Sequence, residues 1–160
     1  FTPIISYTTS TNTLQYLTIT GIPQTYTDLY VVVTGTGTTG GGSVWNQCNG
    51  DTGNNYSFSY FWTNASSTNT GNATGSSGQV GRITQVATGT NGGGYAIFFN
   101  YANTSYYKYW AMRSTRYDIA LNGISCWRNT AAITSLRFGI ESGSLFNTGF
   151  RIDVYGILKA

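Results

Sequence analysis

The sequence predicts an all-β fold, and three observations support this prediction. Short segments of alternating apolar and polar side chains recur along the 160 residues. No segment has the apolar spacing of an amphipathic helix. The composition is rich in Gly, Thr, Asn, Ser and Tyr, with only 8% charged residues, which favours strands and turns and supplies few good helix formers.

The alternation is clearest between residues 133 and 157. Leu136, Phe138 and Ile140 fall on one face of a first strand, and the FRIDV segment from residue 150 alternates in the same way. The segment between them contains glycine, serine and asparagine, which tolerate turn geometry. This stretch is therefore predicted to be a hairpin or an equivalent sheet corner.

The other strand candidates are separated by turn signals, which together predict an antiparallel β-sandwich of jelly-roll type formed by a single domain, residues 1–160. The LYVVV run is typical of a central strand covered on both faces. Residues 34–42 and 64–78, which are poor in apolar side chains, are predicted to be long surface loops. The candidate strands are Ile4–Tyr7, Leu14–Thr20, Asp28–Thr34, Val44–Cys48, Ser57–Thr63, Gln79–Ala87, Tyr95–Asn100, Tyr106–Ser114 and Gly123–Arg128.

Charge and hydropathy argue against two classes of partner. The net charge of +3 comes from scattered side chains without a basic run, so no nucleic-acid partner is expected. No apolar stretch is long enough to cross a bilayer, so no membrane insertion is expected. The chain begins at Phe1 rather than at a methionine, which leaves open whether a segment precedes it.

Cys48 and Cys126 are the only cysteines. They could form one disulfide in an oxidising compartment, but two free thiols in a packed fold are the simpler interpretation. The sequence does not decide between these states.

Two glycine-rich motifs resemble ligand sites without having the required context. GTGTTG, from Gly35 to Gly40, matches a dinucleotide fingerprint, but the residues that follow cannot begin a helix. NGDTGNN, from Asn49 to Asn55, offers only Asp51 as a carboxylate, whereas calcium sites gather several oxygen ligands. No cofactor and no metal site are therefore expected, and the second motif is interpreted as a tight turn.

Catalytic groups are scarce. The chain has no histidine and therefore no ordinary Ser-His or Cys-His pair. A glycosidase would need two carboxylates that converge across a bond, and this stays a minor alternative to a non-enzymatic protein. The five acids are Asp28, Asp51, Asp118, Glu141 and Asp153.

The aromatic segment from residue 101 to residue 113 is the main candidate site. Strand alternation assigns one of its two rows of side chains to the core. The remaining row and the preceding turn offer Tyr101, Tyr106 and Tyr107 as a contact surface for a glycan or a neighbouring subunit. Plain sheet packing is the alternative, because aromatic residues are favoured in strands.

Several segments resemble a family of virion structural proteins and fibre-tip domains from tailed phages of aquatic bacteria, cyanophages among them. The resemblance spans most of the chain and implies a viral particle component with a jelly-roll-like fold and no enzymatic role. Cys48 departs from it, since an aromatic residue is expected before NGD, and the glycines at residues 40–42 look like an elaboration of a loop. The segments are, in order, Ile22–Leu29, Asn49–Ser57, Trp127–Leu136, and the closing Phe146, Gly149 and Tyr155–Ile157.

The expected function is that of a non-enzymatic phage virion structural protein, which decorates or stabilises the capsid or forms part of a fibre or adhesin. Its expected location is the virion, assembled in the host cytoplasm. Its expected partners are itself, other virion proteins and a host surface glycan. A homotrimer is expected because exposed sheet edges with few charges favour self-association. The alternative is a carbohydrate-binding module of a secreted bacterial protein. Host, receptor and position on the virion stay open.

Overall fold

The computed structural model describes residues 1–76 and 83–158. Helical structure in these ranges is limited to one short 3-10 turn, Glu141–Gly143, which we call η1. The strands are β1 (Thr2–Thr8), β2 (Tyr16–Thr20), β3 (Asp28–Gly35), β4 (Gly41–Cys48), β5 (Tyr56–Thr63), β6 (Thr68–Ser76), β7 (Thr84–Ala87), β8 (Gly92–Phe99), β9 (Lys108–Arg116), β10 (Ile119–Trp127), β11 (Ser135–Ile140) and β12 (Arg151–Ile157).

The strands form two antiparallel sheets. The large sheet has the order β1-β12-β3-β8-β9-β10-β5-β6, and the small sheet has the order β2-β11-β4-β7. Buried apolar side chains from both sheets make one hydrophobic core. The prediction of an all-β antiparallel sandwich is confirmed, while its jelly-roll form stays a prediction.

The apolar run of β3 lies at the centre of the large sheet, between β12 and β8. Leu29, Val31 and Val33 are fully buried against the core. Tyr30 and Val32 point to the opposite face and are only partly buried. The prediction that this strand is covered on both faces is therefore wrong, because no second layer of the described chain lies over the outside of the large sheet.

The closing stretch turns a corner between the sheets. β11 belongs to the small sheet and β12 to the large one, so the corner is the correct interpretation and the hairpin is not. Ser142, Gly143 and Gly149 in this connection all have positive φ angles of 61°, 69° and 83°. The turn residues noted in the sequence thus supply the backbone conformations that reverse the chain.

Residues 64–78 are not a long loop, because β6 spans Thr68–Ser76 and pairs with β5. The hairpin turn is formed by Asn64, whose Oδ1 accepts hydrogen bonds from the backbone N–H groups of Ser66 and Ser67. As an edge strand, β6 has little apolar surface to bury, so its sequence lacks the alternation that identifies a strand. Residues 77 and 78 lie outside the described ranges, as do residues 79–82 of the predicted Gln79–Ala87 strand.

The predicted loop at residues 34–42 is shorter than expected. β3 continues to Gly35 and β4 begins at Gly41, so the last glycines of the run belong to a strand. The residues between them pack on the corner before β12, where Thr38 N donates to Leu145 O at 3.0 Å. The loop is therefore anchored at one corner of the sandwich.

Both cysteines are free thiols. Cys48 is fully buried in the core, and Cys126 is partly buried on β10. Burial raises the pKa of the Cys48 thiol and of the Cys126 thiol. Both groups are therefore protonated at neutral pH and poorly reactive.

Candidate binding surface

The three tyrosines predicted as a contact surface have different environments. Tyr106 is 70% exposed and Tyr107 is 48% exposed, whereas Tyr101 is completely buried. The hydroxyl of Tyr101 donates a hydrogen bond to the carbonyl of Pro23. Tyr101 therefore packs beneath the turn and cannot stack on a ligand, and only Tyr106 and Tyr107 are available for contact.

The turn that carries these two side chains, residues 100–107, is held by its own polar groups. Asn103 Oδ1 accepts hydrogen bonds from Ser105 N at 2.7 Å and from Tyr106 N at 3.1 Å. Asn100 N donates to Asp28 Oδ1 at 2.7 Å. These bonds fix the backbone before any ligand arrives, which lowers the entropy cost of binding.

Lys108 secures the same turn from below. Its side chain is almost fully buried, and Nζ donates to Tyr106 O at 2.6 Å and to Thr130 O at 2.9 Å. Burial lowers the pKa of this ammonium group. Lys108, with Trp110 and Met112, belongs to the row of β9 that faces the core. The opposite row, which includes Tyr109, is the one that faces solvent.

Asn49 joins the end of β4 to the start of β11. Its Oδ1 accepts hydrogen bonds from Thr134 N at 2.8 Å and Ser135 N at 3.1 Å. Its Nδ2 donates to Ala132 O at 2.8 Å. The φ angle of Asn49 is 52°, a left-handed conformation that asparagine tolerates better than most residues.

Asp51 is the centre of a second set of contacts two residues later. Its Oδ2 accepts from Trp127 Nε1 at 2.6 Å and from Asn55 Nδ2 at 2.9 Å, and its Oδ1 accepts from Gly53 N at 2.8 Å. Burial acts to raise the pKa of Asp51, but these hydrogen bonds outweigh it and hold the pKa below its usual value. Because hydrogen-bond donors surround the carboxylate, it is positioned as a structural acceptor and not as a cation ligand.

A third set of contacts joins the turn before β3 to the loop between β10 and β11. Gln24 Nε2 donates to Ile22 O at 2.8 Å and to Ile133 O at 2.9 Å. The ring of Tyr26 lies over Gly156 of β12, where a Cβ atom would come within 2.3 Å of it. We call this end of the sandwich, formed by residues 21–27, 49–55, 100–107 and 128–134, the interlocked end.

The interlocked end unites three of the segments that carry the resemblance to virion proteins. They are far apart in the chain, yet the contacts of Gln24, Asn49 and Asp51 bring them together. Their polar residues satisfy backbone groups of neighbouring loops. These motifs are therefore explained as fold-specifying corners.

The exposed tyrosines belong to a wider aromatic surface. We call the side of the large sheet that points away from the small sheet the outer face. At its edge near the interlocked end, Phe99, Tyr107 and Tyr109 are between 40% and 48% exposed. With Tyr106, they border an open cleft of about 490 Å³ that also contains the polar residues Asn100, Ser105 and Thr130. Sequence analysis placed Tyr109 in the same row as Tyr107 without assigning it to the site, and it missed Phe99, because the pairing of β8 with β9 decides that these side chains are neighbours.

A second aromatic cluster lies further along the outer face. Tyr30 is the centre, with ring centroids 5.2 Å from Tyr95, 6.4 Å from Tyr155 and 5.2 Å from Phe1. Burial, followed by the neighbouring Tyr95 and Tyr155, raises the pKa of Tyr30. We call these four residues the tyrosine cluster. They form an apolar patch without a covering layer in the described chain.

Each of the five carboxylates has a structural hydrogen-bond partner. Asp28 and Asp51 are described above. Asp118 accepts from Arg116 at 3.2 Å, Glu141 accepts from Ser43 N at 3.1 Å, and Asp153 accepts from Arg151 at 2.8 Å. No group of three or more metal-ligating side chains occurs in the described ranges.

Comparison with known proteins gave no match to a family model, a curated protein or a solved structure. Within residues 1–76 and 83–158, no helix has the length and apolar character needed to span a membrane.

Proposed function

We propose that the chain is a non-enzymatic structural protein of a phage virion, which decorates or stabilises the capsid or forms part of a fibre or adhesin. The observation that carries this proposal is the interlocked end. The residues by which the chain resembles virion proteins join loops there, as in the hydrogen bonds of Asn49 to Thr134 and Ser135. Residues that join loops in this way are fold-specifying, so the segments that carry the resemblance are ones that a common scaffold would require.

The strand order supports the jelly-roll part of this proposal. When the hairpins β5–β6 and β9–β10 are set aside, the sheets have the orders β1-β12-β3-β8 and β2-β11-β4-β7. Each strand of one sheet is then connected along the chain to the strand at the same position in the other sheet. Such a wrapped arrangement of antiparallel strands is expected of a jelly roll.

The environment of the acids supports a role without catalysis. Asp51 and Asp153 are held in the ionised state by hydrogen bonds from other side chains, and both have a pKa below the usual value. A glycosidase needs one carboxyl group with a raised pKa to act as the acid, a role for which Asp51 and Asp153 are unsuited. The charged side chains are scattered along the sequence without a basic run, so no nucleic-acid partner is proposed.

Self-association as a homotrimer is part of the proposal. The tyrosine cluster offers an aromatic patch in which Phe1 is exposed and the three tyrosines are partly exposed, and uncovered apolar patches can mark protein interfaces. Tyrosine is also enriched at interfaces, since its ring packs and its hydroxyl finds a partner. Closed rotational symmetry would let identical chains bury this patch, and threefold symmetry suits both fibres and capsids.

Mass spectrometry and immunogold labelling of purified particles test the virion role. The chain is expected in particles at a fixed copy number, with label on their exterior. The proposal is contradicted if the chain is present in the host lysate but absent from the particles purified from that lysate.

A carbohydrate-binding module of a secreted bacterial protein is the second candidate, and the exposed Tyr106 and Tyr107 favour it. Secretion by a bacterium without any phage particle would support this candidate instead. A host surface glycan is a ligand under either function.

A further inference from the structure

We propose that the outer face carries a groove for an uncharged glycan chain, which begins at the aromatic turn and crosses β9, β10 and β5 to Phe61. The inference rests on the proposed function, since it names the ligand that an adhesive virion protein would hold. It also enlarges the predicted site. Only the first part of the groove contains residues that the sequence indicated.

The register of the strands defines the path of the groove. Tyr109 of β9 is paired with Cys126 of β10, which is paired with Ser57 of β5. Tyr109 borders both the cleft at the aromatic turn and a second open cleft of about 350 Å³, which extends over Ile124. The two clefts are therefore neighbours that share one aromatic wall.

A third open cleft, of about 430 Å³, continues the path. It shares Ser59, Asn72 and Ile124 with the second cleft and ends between Phe61 and Asn122. From Tyr109 to Phe61 the path crosses two strand spacings and four residues along a strand, which corresponds to roughly 17 Å. This length accommodates a short oligosaccharide.

The side chains that line the groove match the two surfaces of a sugar ring. Tyr109, Ile124 and Phe61 are each between 44% and 51% exposed and offer apolar platforms for the ring faces. Between these platforms lie small polar side chains that can hydrogen-bond to sugar hydroxyls. The polar residues are Ser57, Ser59, Thr70, Asn72, Thr74 and Asn122.

The charge of the side chains that line the groove indicates which class of glycan it can bind. Among residues 1–76 and 83–158, no charged side chain lines any of the three clefts. The nearest described cation in the strand register is Arg113, beside Asn122, and its Nε donates to Asn122 Oδ1 at 2.7 Å. Arg113 is engaged by Asn122, and Arg128, which lies near Cys126, is engaged by Asn54 O. A lining without charged side chains avoids the desolvation of unpaired charges when a neutral chain binds.

The same chemistry distinguishes this groove from a contact with a second copy. The cores of protein interfaces are apolar and rich in aromatic residues, as the tyrosine cluster is. Over β5 and β6 the groove instead alternates apolar side chains with the polar side chains of Ser57, Ser59, Asn72 and Thr74. Burying these hydroxyl and amide groups against a protein would cost free energy unless each found a partner, whereas a sugar brings partners with it.

The experiment measures binding of the full chain to dextran, galactomannan and xyloglucan by affinity gel electrophoresis, with alginate as the charged comparison. Tyr109→Ala and Phe61→Ala remove one platform each, and Tyr109→Phe keeps the ring. Tyr117→Ala is the matched control, because Tyr117 is the most exposed aromatic side chain and lies outside the groove. Circular dichroism verifies that each variant is folded.

We expect at least one neutral polysaccharide to bind, with about a tenfold loss of affinity in Tyr109→Ala and Phe61→Ala. Tyr109→Phe and Tyr117→Ala should bind as the unaltered chain does, and alginate should not bind. Failure of all three neutral polysaccharides overturns the proposal, as does preferential binding of alginate. An equal loss in Tyr117→Ala overturns it too. If Tyr109→Ala weakens self-association in sedimentation without any glycan binding, the groove is a subunit contact and the proposal is wrong.

These outcomes are separate from the virion test. A chain that is found in particles but binds no neutral polysaccharide loses the glycan groove and keeps its virion role. A chain that binds neutral polysaccharide but is absent from particles loses the virion role and keeps the groove.

Discussion

The indole Nε1 of Trp127 donates a 2.6 Å hydrogen bond to Oδ2 of Asp51, across 76 positions of sequence. Trp127 ends β10 of the large sheet, and Asp51 lies in the loop that leaves the small sheet. The bond therefore joins the two layers of the sandwich at the interlocked end. It is one of several side-chain contacts that determine how these loops meet.

Replacement of Trp127 by phenylalanine should destabilise the fold more than the same change at Trp110. Both indoles are almost fully buried, so the loss of volume is the same. The Trp110 N–H has no partner in the described chain, whereas the Trp127 N–H serves Asp51. We expect the free energy of unfolding to fall by about 1–3 kcal/mol more in Trp127→Phe, because this variant loses a hydrogen bond to a charged acceptor. Urea denaturation measures it, and equal losses in both variants would show that the bond contributes nothing.

Stability should decline in acid, with Asp51 as one cause. Its pKa is lower in the folded state than the unfolded value of about 3.9. The stabilisation is therefore complete above that value and is lost as the pH falls through the folded pKa. Asp153, whose pKa is lowered mainly by its hydrogen bond from Arg151, acts in the same window.

Urea denaturation between pH 7 and pH 2 tests this prediction. Asp51→Asn should reduce the decline below pH 4 without abolishing it, since Asp153 remains. A variant with the same pH dependence as the unaltered chain would contradict the role assigned to Asp51.

Two substitutions at Asn49 separate its hydrogen bonds from its backbone conformation. Asn49→Gly removes the contacts with Ala132, Thr134 and Ser135 but tolerates the positive φ angle, so we expect a loss of about 2–3 kcal/mol. Asn49→Ala should cost about 1 kcal/mol more, because alanine is strained in a left-handed conformation. Chemical denaturation measures both values. If alanine is no worse than glycine, backbone strain is not a factor at this position.

Lys108→Met should loosen the aromatic turn. The variant preserves the length of the apolar stem but leaves the carbonyls of Tyr106 and Thr130 without their buried donor, at a cost of about 2–4 kcal/mol. Amide hydrogen exchange should accelerate in residues 100–107 more than in the strands of the core. Exchange that rises equally throughout the chain would indicate general destabilisation and would contradict a specific role in holding the turn.

Charge inserted into the tyrosine cluster should abolish self-association. Tyr30→Lys introduces an ammonium group at the centre of the patch, where a neighbouring subunit would have to desolvate it. Tyr117→Lys adds the same charge at a highly exposed position elsewhere. Sedimentation equilibrium should give a trimer for the unaltered chain and for Tyr117→Lys, and a monomer for Tyr30→Lys. A monomeric unaltered chain refutes self-association, and a dimer or pentamer refutes only the trimer.

Sequence analysis identified strands best where one face meets the core. β12 is recognised because Ile152 and Val154 alternate with polar neighbours, which is the consequence of having one buried face. β6 was missed because an edge strand of threonine, asparagine and glycine buries little on either face. Tyr101 was misassigned because its burial depends on Pro23, 78 residues away. Local periodicity contains no information about such distant contacts. The proposed groove could not be predicted from the sequence either, because its path to Phe61 depends on the register of β9, β10, β5 and β6.

The position of β12 has a consequence for biosynthesis. β12 lies between β1 and β3 and forms hydrogen bonds with both, yet it is the last of the twelve strands to leave the ribosome. Until then, β1 has no neighbour in the large sheet, and β3 has one free edge that later becomes internal. The sandwich must therefore close after translation of this strand, and a nascent chain stalled before residue 151 would expose an adhesive edge to other chains.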